Sequence, residues 1–225
     1  MNIAAQLSEI ACYGEFFAIT VGGDATGWRA VQRCYADGCG DLIDTTADRY
    51  RTTDRRIGAS TVQLSHATRL WSPVLACALA HGILPDLTYL YRKDDGTALR
   101  LAEAVAAPVA PTADALYQVV VQQHLEPMAD GLRIKLARGL LYGNAASALV
   151  AASRALIAQR PDLRDAAVAL TESLLATGKL AGTGTIVGSG LRFRRRSCCL
   201  YYRVSGGAKC HDCGLTKTAE APHPL

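Results

Sequence analysis

The chain has 225 residues, half of them hydrophobic and a fifth charged, with a formal net charge of +4 at neutral pH. That composition suits a globular protein with ample material for a core, either one large domain or one domain plus a small module. The basic excess gathers near the C-terminal cysteines, and no basic stripe with interleaved aromatics occurs elsewhere, which argues against a nucleic-acid binder.

Residues 1–12 are expected to form a short amphipathic helix. Met1–Ile10 lack a charged region followed by an apolar core, so no signal peptide is expected. Phe16–Val21 is rich in aromatic and β-branched residues and stops at Gly22-Gly23, which reads as a strand. Cys34 and Cys39 read as two incidental thiols rather than a second metal knuckle, and Cys12 and Cys77 as small core residues. After Asp54-Arg55-Arg56, Ser60 is expected to cap a helix running to His81-Gly82, kinked or broken by Pro73. Trp71, just before that proline, has two readings: core packing or part of a binding wall. Leu87–Arg92 and Leu99–Ala102 flank Asp94-Asp95-Gly96, the pattern of a β-hairpin.

Pro108 and Pro111 mark a linker, and Thr112 is placed to cap the next helix. From 112 to about 177 the helical periodicity predicts three helices, with breaks near Pro127, Gly139 to Gly143, and Pro161-Asp162. Asn144 is expected as the N-cap of a helix over 145–160. The same geometry would aim backbone N–H groups at an anionic ligand. No run approaches eighteen apolar residues, so no transmembrane segment is expected, and the chain is read as soluble and cytoplasmic. The glycine-rich stretch 182–190 fails as a nucleotide loop, because Val187 stands where G-x-G-x-x-G needs glycine, and reads as a flexible linker. Leu191–Arg196 and Leu200–Val204 have strand character, Ser205-Gly206-Gly207 turns the chain back, and the tail after Leu215 is expected to be disordered. The fold class is thus α+β and mostly helical: a body over 1–190 with short strands near 16–21 and 87–102, a cysteine module over 191–215, and a tail over 216–225.

That module carries the chemistry. Cys198, Cys199, Cys210 and Cys213 place four of the eight cysteines within sixteen positions, spaced C-C-x10-C-x2-C. In a reducing compartment so dense a cluster reads as metal ligation before disulfides. Cys210-x2-Cys213 is an ordinary knuckle, but Cys198-Cys199 is not, since adjacent residues on an extended strand point to opposite faces. The backbone must turn sharply there, a demand that a two-iron cluster relaxes by needing two thiolates at each iron. Spacing alone leaves iron–sulfur and zinc both open.

The run Arg194-Arg195-Arg196-Ser197-Cys198-Cys199-Leu200-Tyr201-Tyr202-Arg203-Val204, followed by Gly206-Gly207, Lys209-Cys210, Cys213 and Leu215, resembles the C-terminal signature of the FhuF-type ferric siderophore reductases. Arg69–Ala76 and Leu141–Leu149 look like the same family, so the likeness runs from about Ala59 to Leu215. Gly214 departs from it, standing where proline is expected. The resemblance implies that the four cysteines hold a [2Fe-2S] cluster and that the activity is one-electron reduction of a ferric hydroxamate or catecholate siderophore. It gives substrate or donor roles to residues among Arg194, Arg195, Arg196, Lys209, Trp71 and Asn144. The cations, Arg203 included, otherwise read as a solvated basic face. His211, between two ligands, either bonds a cluster sulfur or is simply exposed. Nothing in the sequence matches an NAD or flavin site, so an external donor such as a ferredoxin or flavoprotein is expected. A zinc-stabilised interaction protein is the main alternative; an iron–sulfur sensor is disfavoured because no helix-turn-helix or basic recognition helix is seen.

Overall fold

The computed structural model describes residues 1–187 and 190–215. The fold is a mostly helical α+β arrangement built on two long helices, α4 (Arg55–His81) and α7 (Arg138–Gln159). Small buried residues on α7, among them Ala145, Ala146 and Ala148, leave room along the seam between the two helices. Polar side chains then bond across the seam: Gln63 donates to the Leu141 carbonyl at 3.2 Å, and Trp71 Nε1 to the Ala145 carbonyl at 3.1 Å. By length and composition α7 could cross a membrane, but most of its residues are buried inside the protein, as in a core helix.

Around this pair lie α1 (Ala4–Ala11), α2 (Val31–Asp37), α3 (Gly40–Arg49) and α8 (Arg164–Leu175). A further helical run comprises α5 (Ala113–Tyr117), a π-helical stretch (Gln118–Leu125) and α6 (Glu126–Gly131). One mixed sheet has the order β1 (Ile19–Val21), β4 (Leu99–Leu101), β3 (Leu90–Lys93), β2 (Trp28–Ala30), with β1 parallel to β4 and the other pairings antiparallel. A second, two-stranded sheet joins β5 (Gly184–Ile186) to β6 (Phe193–Arg195).

Local chemistry carries several expectations through. Asp95 and Gly96, at φ +72°, close the β3–β4 hairpin, and Thr112 accepts from the Ala115 N–H as an N-cap. Others fail because tertiary contacts win. Asp54, not Ser60, caps α4, leaving Ser60 buried inside it. Pro73 does not break α4, which runs on through it from Arg55 to His81 with Pro73 buried in the core. Pro127 sits in the first turn of α6, where an N–H is spare, so the chain there stays helical. The break expected near 139–143 falls earlier, over 132–137. Only Ile19–Val21 of the 16–21 stretch is a strand.

The linker expected at 182–190 forms β5, held by pairing to β6, while Gly188 and Ser189 lie outside the described residues. Leu200–Val204 is not a strand: Leu200 is left-handed at φ +70° and Tyr201–Arg203 is a 3-10 turn. The tail over 216–225 also lies outside the described residues. Cys77 is buried, but Cys12 is exposed. Cys34 and Cys39, expected as separate thiols, pair as a disulfide, brought to a Cα separation of 4.8 Å by the left-handed turn Gly38-Cys39 between α2 and α3.

Gly58 separates helix propensity from packing. Alanine there would gain ~0.5–1 kcal/mol from propensity. Its methyl, however, would land 2.6 Å from the Ile43 carbonyl oxygen of α3. Gly58→Ala is therefore expected to lose about 1–3 kcal/mol of stability, read as a lower urea midpoint. A raised midpoint would show that α3 moves away freely.

Candidate metal centre

Strand β6 delivers Arg195 to the protein interior, where it is 2 % exposed. Its Nη2 donates to Asn144 Oδ1 at 2.5 Å and lies 3.4 Å from the Leu140 carbonyl. Asn144 is itself fully buried and donates from Nδ2 to the Ser60 carbonyl at 3.0 Å and to Ser60 Oγ at 3.1 Å. The Ser60 hydroxyl in turn donates to the Cys199 carbonyl at 2.8 Å. One polar chain thus runs from β6 through α7 and α4 to the first cysteine pair.

The second cysteine pair is fixed from the other side. The Arg195 N–H donates to the Asp212 carbonyl at 3.1 Å, tying the two cysteine-bearing segments together. The Asp212 carboxylate, 5 % exposed, accepts from the Ser147 hydroxyl and, at 3.3 Å, from Arg154 Nη1. Both partners are on α7. Two glycines permit the contact. A Cβ at Gly143 would lie 2.1 Å from Ser197 Oγ, and one at Gly214 only 2.4 Å from the Arg195 carbonyl oxygen. The glycine found in place of proline at 214 is therefore set by close backbone approach.

The chain turns just after the adjacent cysteines, at Leu200, whose backbone is left-handed and whose N–H lies 3.3 Å from Cys198 Sγ. The Cys199 and Cys210 sulfurs lie 3.4 Å apart. That is near the ~3.8 Å edge of a tetrahedron with metal–sulfur bonds of about 2.3 Å. Cys210 and Cys213 are joined by an N–H···O bond of 3.0 Å within the knuckle. Cys199 and Cys213 are buried, while Cys198 and Cys210 are half-buried. Among the described residues, no three His, Cys, Asp or Glu side chains gather at one ion position.

The hydrogen bond with Cys210 lowers the Cys199 thiol to about 6, against desolvation, while the same contact raises Cys210. Burial raises Cys198. The Arg195 guanidinium favours the thiolate at all three. The donors are thus soft sulfurs with the Leu200 N–H directed at one of them and the Arg195 charge near enough to favour their thiolates, which suits a thiolate-bound metal group.

The other sequence candidates fall in different places. Trp71 is fully buried with its indole N–H satisfied, so it packs the core and forms no binding wall. Asn144 caps nothing: it lies mid-helix, because the buried Arg195 and Ser60 claim its side chain. Arg194 is half-buried, Arg196 and Lys209 are exposed, and Arg203 reaches Asp54 at 3.9 Å. His211 is exposed. Sequence reasoning missed Ser60, Ser147, Arg154 and Asp212 as supports; an acidic residue between two ligand cysteines was the available signal for Asp212.

The cysteine segments, docked side by side on α7, carry soft sulfur donors of the kind that bind zinc or iron–sulfur groups. Residues 195–214 match the family model of the FhuF 2Fe-2S C-terminal domain, the motif cysteines fit, and the match points to a [2Fe-2S] cluster. No curated protein matches the chain.

Removing the Asn144 side chain strips the buried Arg195 of its shortest partner. Asn144→Ala is expected to cost about 2–3 kcal/mol. It should also lower the visible absorbance recovered on reconstitution with iron and sulfide. Full recovery with unchanged stability would show that the bridge does not position the cysteines.

Proposed function

We propose that the protein is a cytoplasmic oxidoreductase that reduces iron(III) in a ferric siderophore by one electron, releasing iron(II) for assimilation. The observation that supports this most directly is the FhuF 2Fe-2S match over residues 195–214, a span that contains all four C-terminal cysteines. In this reading residues 1–190 form the substrate-binding body and 191–215 the cluster module. Cys198, Cys199, Cys210 and Cys213 hold the [2Fe-2S] cluster, which when bound supplies electrons one at a time.

The roles of the remaining residues follow from charge and exposure. Cys199 and Cys213 anchor on the protein side, while the half-buried Cys198 and Cys210 face the approach of substrate and donor. The Leu200 N–H and the Arg195 guanidinium place positive charge near the sulfurs and stabilise the added electron. Arg196 and Lys209, exposed beside the motif, draw an anionic chelate or an acidic donor such as a ferredoxin or flavoprotein. The substrate chemistry is balanced by a single electron. Hydroxamate or catecholate oxygens hold the small, hard ferric ion tightly and the ferrous ion weakly, so reduction frees the metal and leaves the chelator intact.

Anaerobic protein reduced with dithionite is expected to convert a ferric hydroxamate or catecholate to iron(II), one equivalent per protein, trapped by a ferrous-specific chelator. No iron(II) from any such chelate would sink the reading. At an effective dielectric near 20, a unit charge ~8 Å away is worth about 2 kcal/mol, on the order of 100 mV for one electron. Arg195→Gln should therefore lower the midpoint potential by an amount of that order, with Arg195→Lys close to the parent. An unchanged potential in Arg195→Gln would remove Arg195 from the tuning role.

A further inference from the structure

A cavity of about 270 Å³ opens between α3, α4 and the β3–β4 hairpin. Thr61, Ser65 and Arg69, each four residues apart on α4, form one wall, with Thr97 of the hairpin opposite and Tyr50 at the mouth. The cavity leads toward the cysteine segment. Arg49 and Tyr50 also line a second recess, of about 320 Å³, whose far wall is Tyr201 and Val204–Gly207. The Tyr50 and Tyr201 rings meet edge to face at 5.6 Å. Thr61 follows Ser60, whose hydroxyl holds the Cys199 carbonyl.

The charges in this cavity are unevenly satisfied. Arg92 pairs with Asp41 at 2.5 Å and with the carbonyls of Lys93 and Asp94, which leaves its buried Nε alone without a partner. Asp95 is occupied by the Thr97 N–H and hydroxyl, at 2.9 and 2.6 Å. His66 is held neutral by burial, its pKa lowered to about 3, and bonds Tyr35 at 2.6 Å. Arg69 differs from all of these. It makes no salt bridge among the described residues, its guanidinium lies over the Phe16 ring at 4.6 Å, and its Nε, like that of Arg92, is buried without a hydrogen-bond partner. Asp95 and Glu15 act on it only as distant fields. Arg49, exposed at the mouth, likewise forms no salt bridge among the described residues.

A partly buried guanidinium left unpaired in a polar cavity asks for an anion, and its planar donors suit carboxylate or catecholate oxygens. We infer that this cavity is the substrate site, with Arg69 as its anion-binding residue, and that the preferred substrates are negatively charged ferric chelates of the carboxylate or catecholate type rather than neutral trihydroxamates. The inference rests on the reductase reading and moves its substrate class toward anionic chelates, carboxylate ones included.

The test separates binding from electron transfer by using gallium(III) complexes, which copy ferric chelates in shape and charge but are not reduced. Titration calorimetry would use the cluster-loaded full chain with gallium citrate, an anionic gallium tris-catecholate, and a neutral gallium trihydroxamate. The parent is expected to bind the anionic complexes, more weakly as salt rises. One charge-assisted hydrogen bond is worth about 1.5–3 kcal/mol, so Arg69→Gln should weaken anion binding by roughly 10- to 100-fold, with visible spectrum and midpoint potential unchanged. Arg49→Gln, at an exposed position that cannot unfold the core, should weaken it by a smaller factor. Unchanged affinity in both variants, tighter binding of the neutral complex, or no binding of anionic gallium chelates by the parent would overturn the assignment. Binding that depends on Arg69, in a protein that never yields iron(II) from the ferric counterparts, would support the site and overturn the reductase reading instead.

Discussion

The buried hydrogen bond between Arg195 and Asn144 is the contact on which the rest of the molecule depends. A guanidinium taken out of water is costly unless its donors are met, and here one amide oxygen from the middle of α7 meets them most closely. The same amide spends its N–H groups on Ser60, so helix α4 is drawn into the arrangement. Replacing either partner alone strands the other inside the protein. The cysteine segment is therefore an extension of the α4–α7 core, continuous with it through polar contacts.

This dependence explains the small residues around the seam. Gly143 and Gly214 are not turn residues in the usual sense; each leaves room for an atom that must come within contact distance, Ser197 Oγ in one case and the Arg195 carbonyl oxygen in the other. Asp212 completes the docking by taking charge and hydroxyl partners from a single face of α7. Two cysteine-bearing segments separated by ten residues thus share one rigid support, and the 3.4 Å approach of Cys199 to Cys210 follows from where the supports lie.

What was legible in the sequence was local. The C-C-x10-C-x2-C spacing, the Asp94–Gly96 turn and the Thr112 cap each state their role within a few residues. What was not legible needed a partner distant in the chain. Asn144 has the chemistry of a cap, and only the arrival of Arg195, 51 residues on, turns it into a bridge. Ser60 likewise looks like a helix start until Cys199 lies against it. Pro73 and Pro127 are helix breakers by intrinsic preference, yet a buried place within α4 and a first-turn position leave both segments helical. Trp71 drew attention by its size, while Arg69, two residues before it, is the one that faces a cavity.

The order of parts along the chain has a consequence for biogenesis. Every element that grips the cysteines, from Ser60 on α4 to Arg154 on α7, is synthesised before the cysteines themselves. A nascent chain can close its helical pair first and then receive the last segment onto a finished surface, with Gly143 and Ser147 already in place. The cysteine segment is then docked rather than a loose tail, with the Cys199 and Cys210 sulfurs 3.4 Å apart, so part of the entropy of ordering that segment is met by folding.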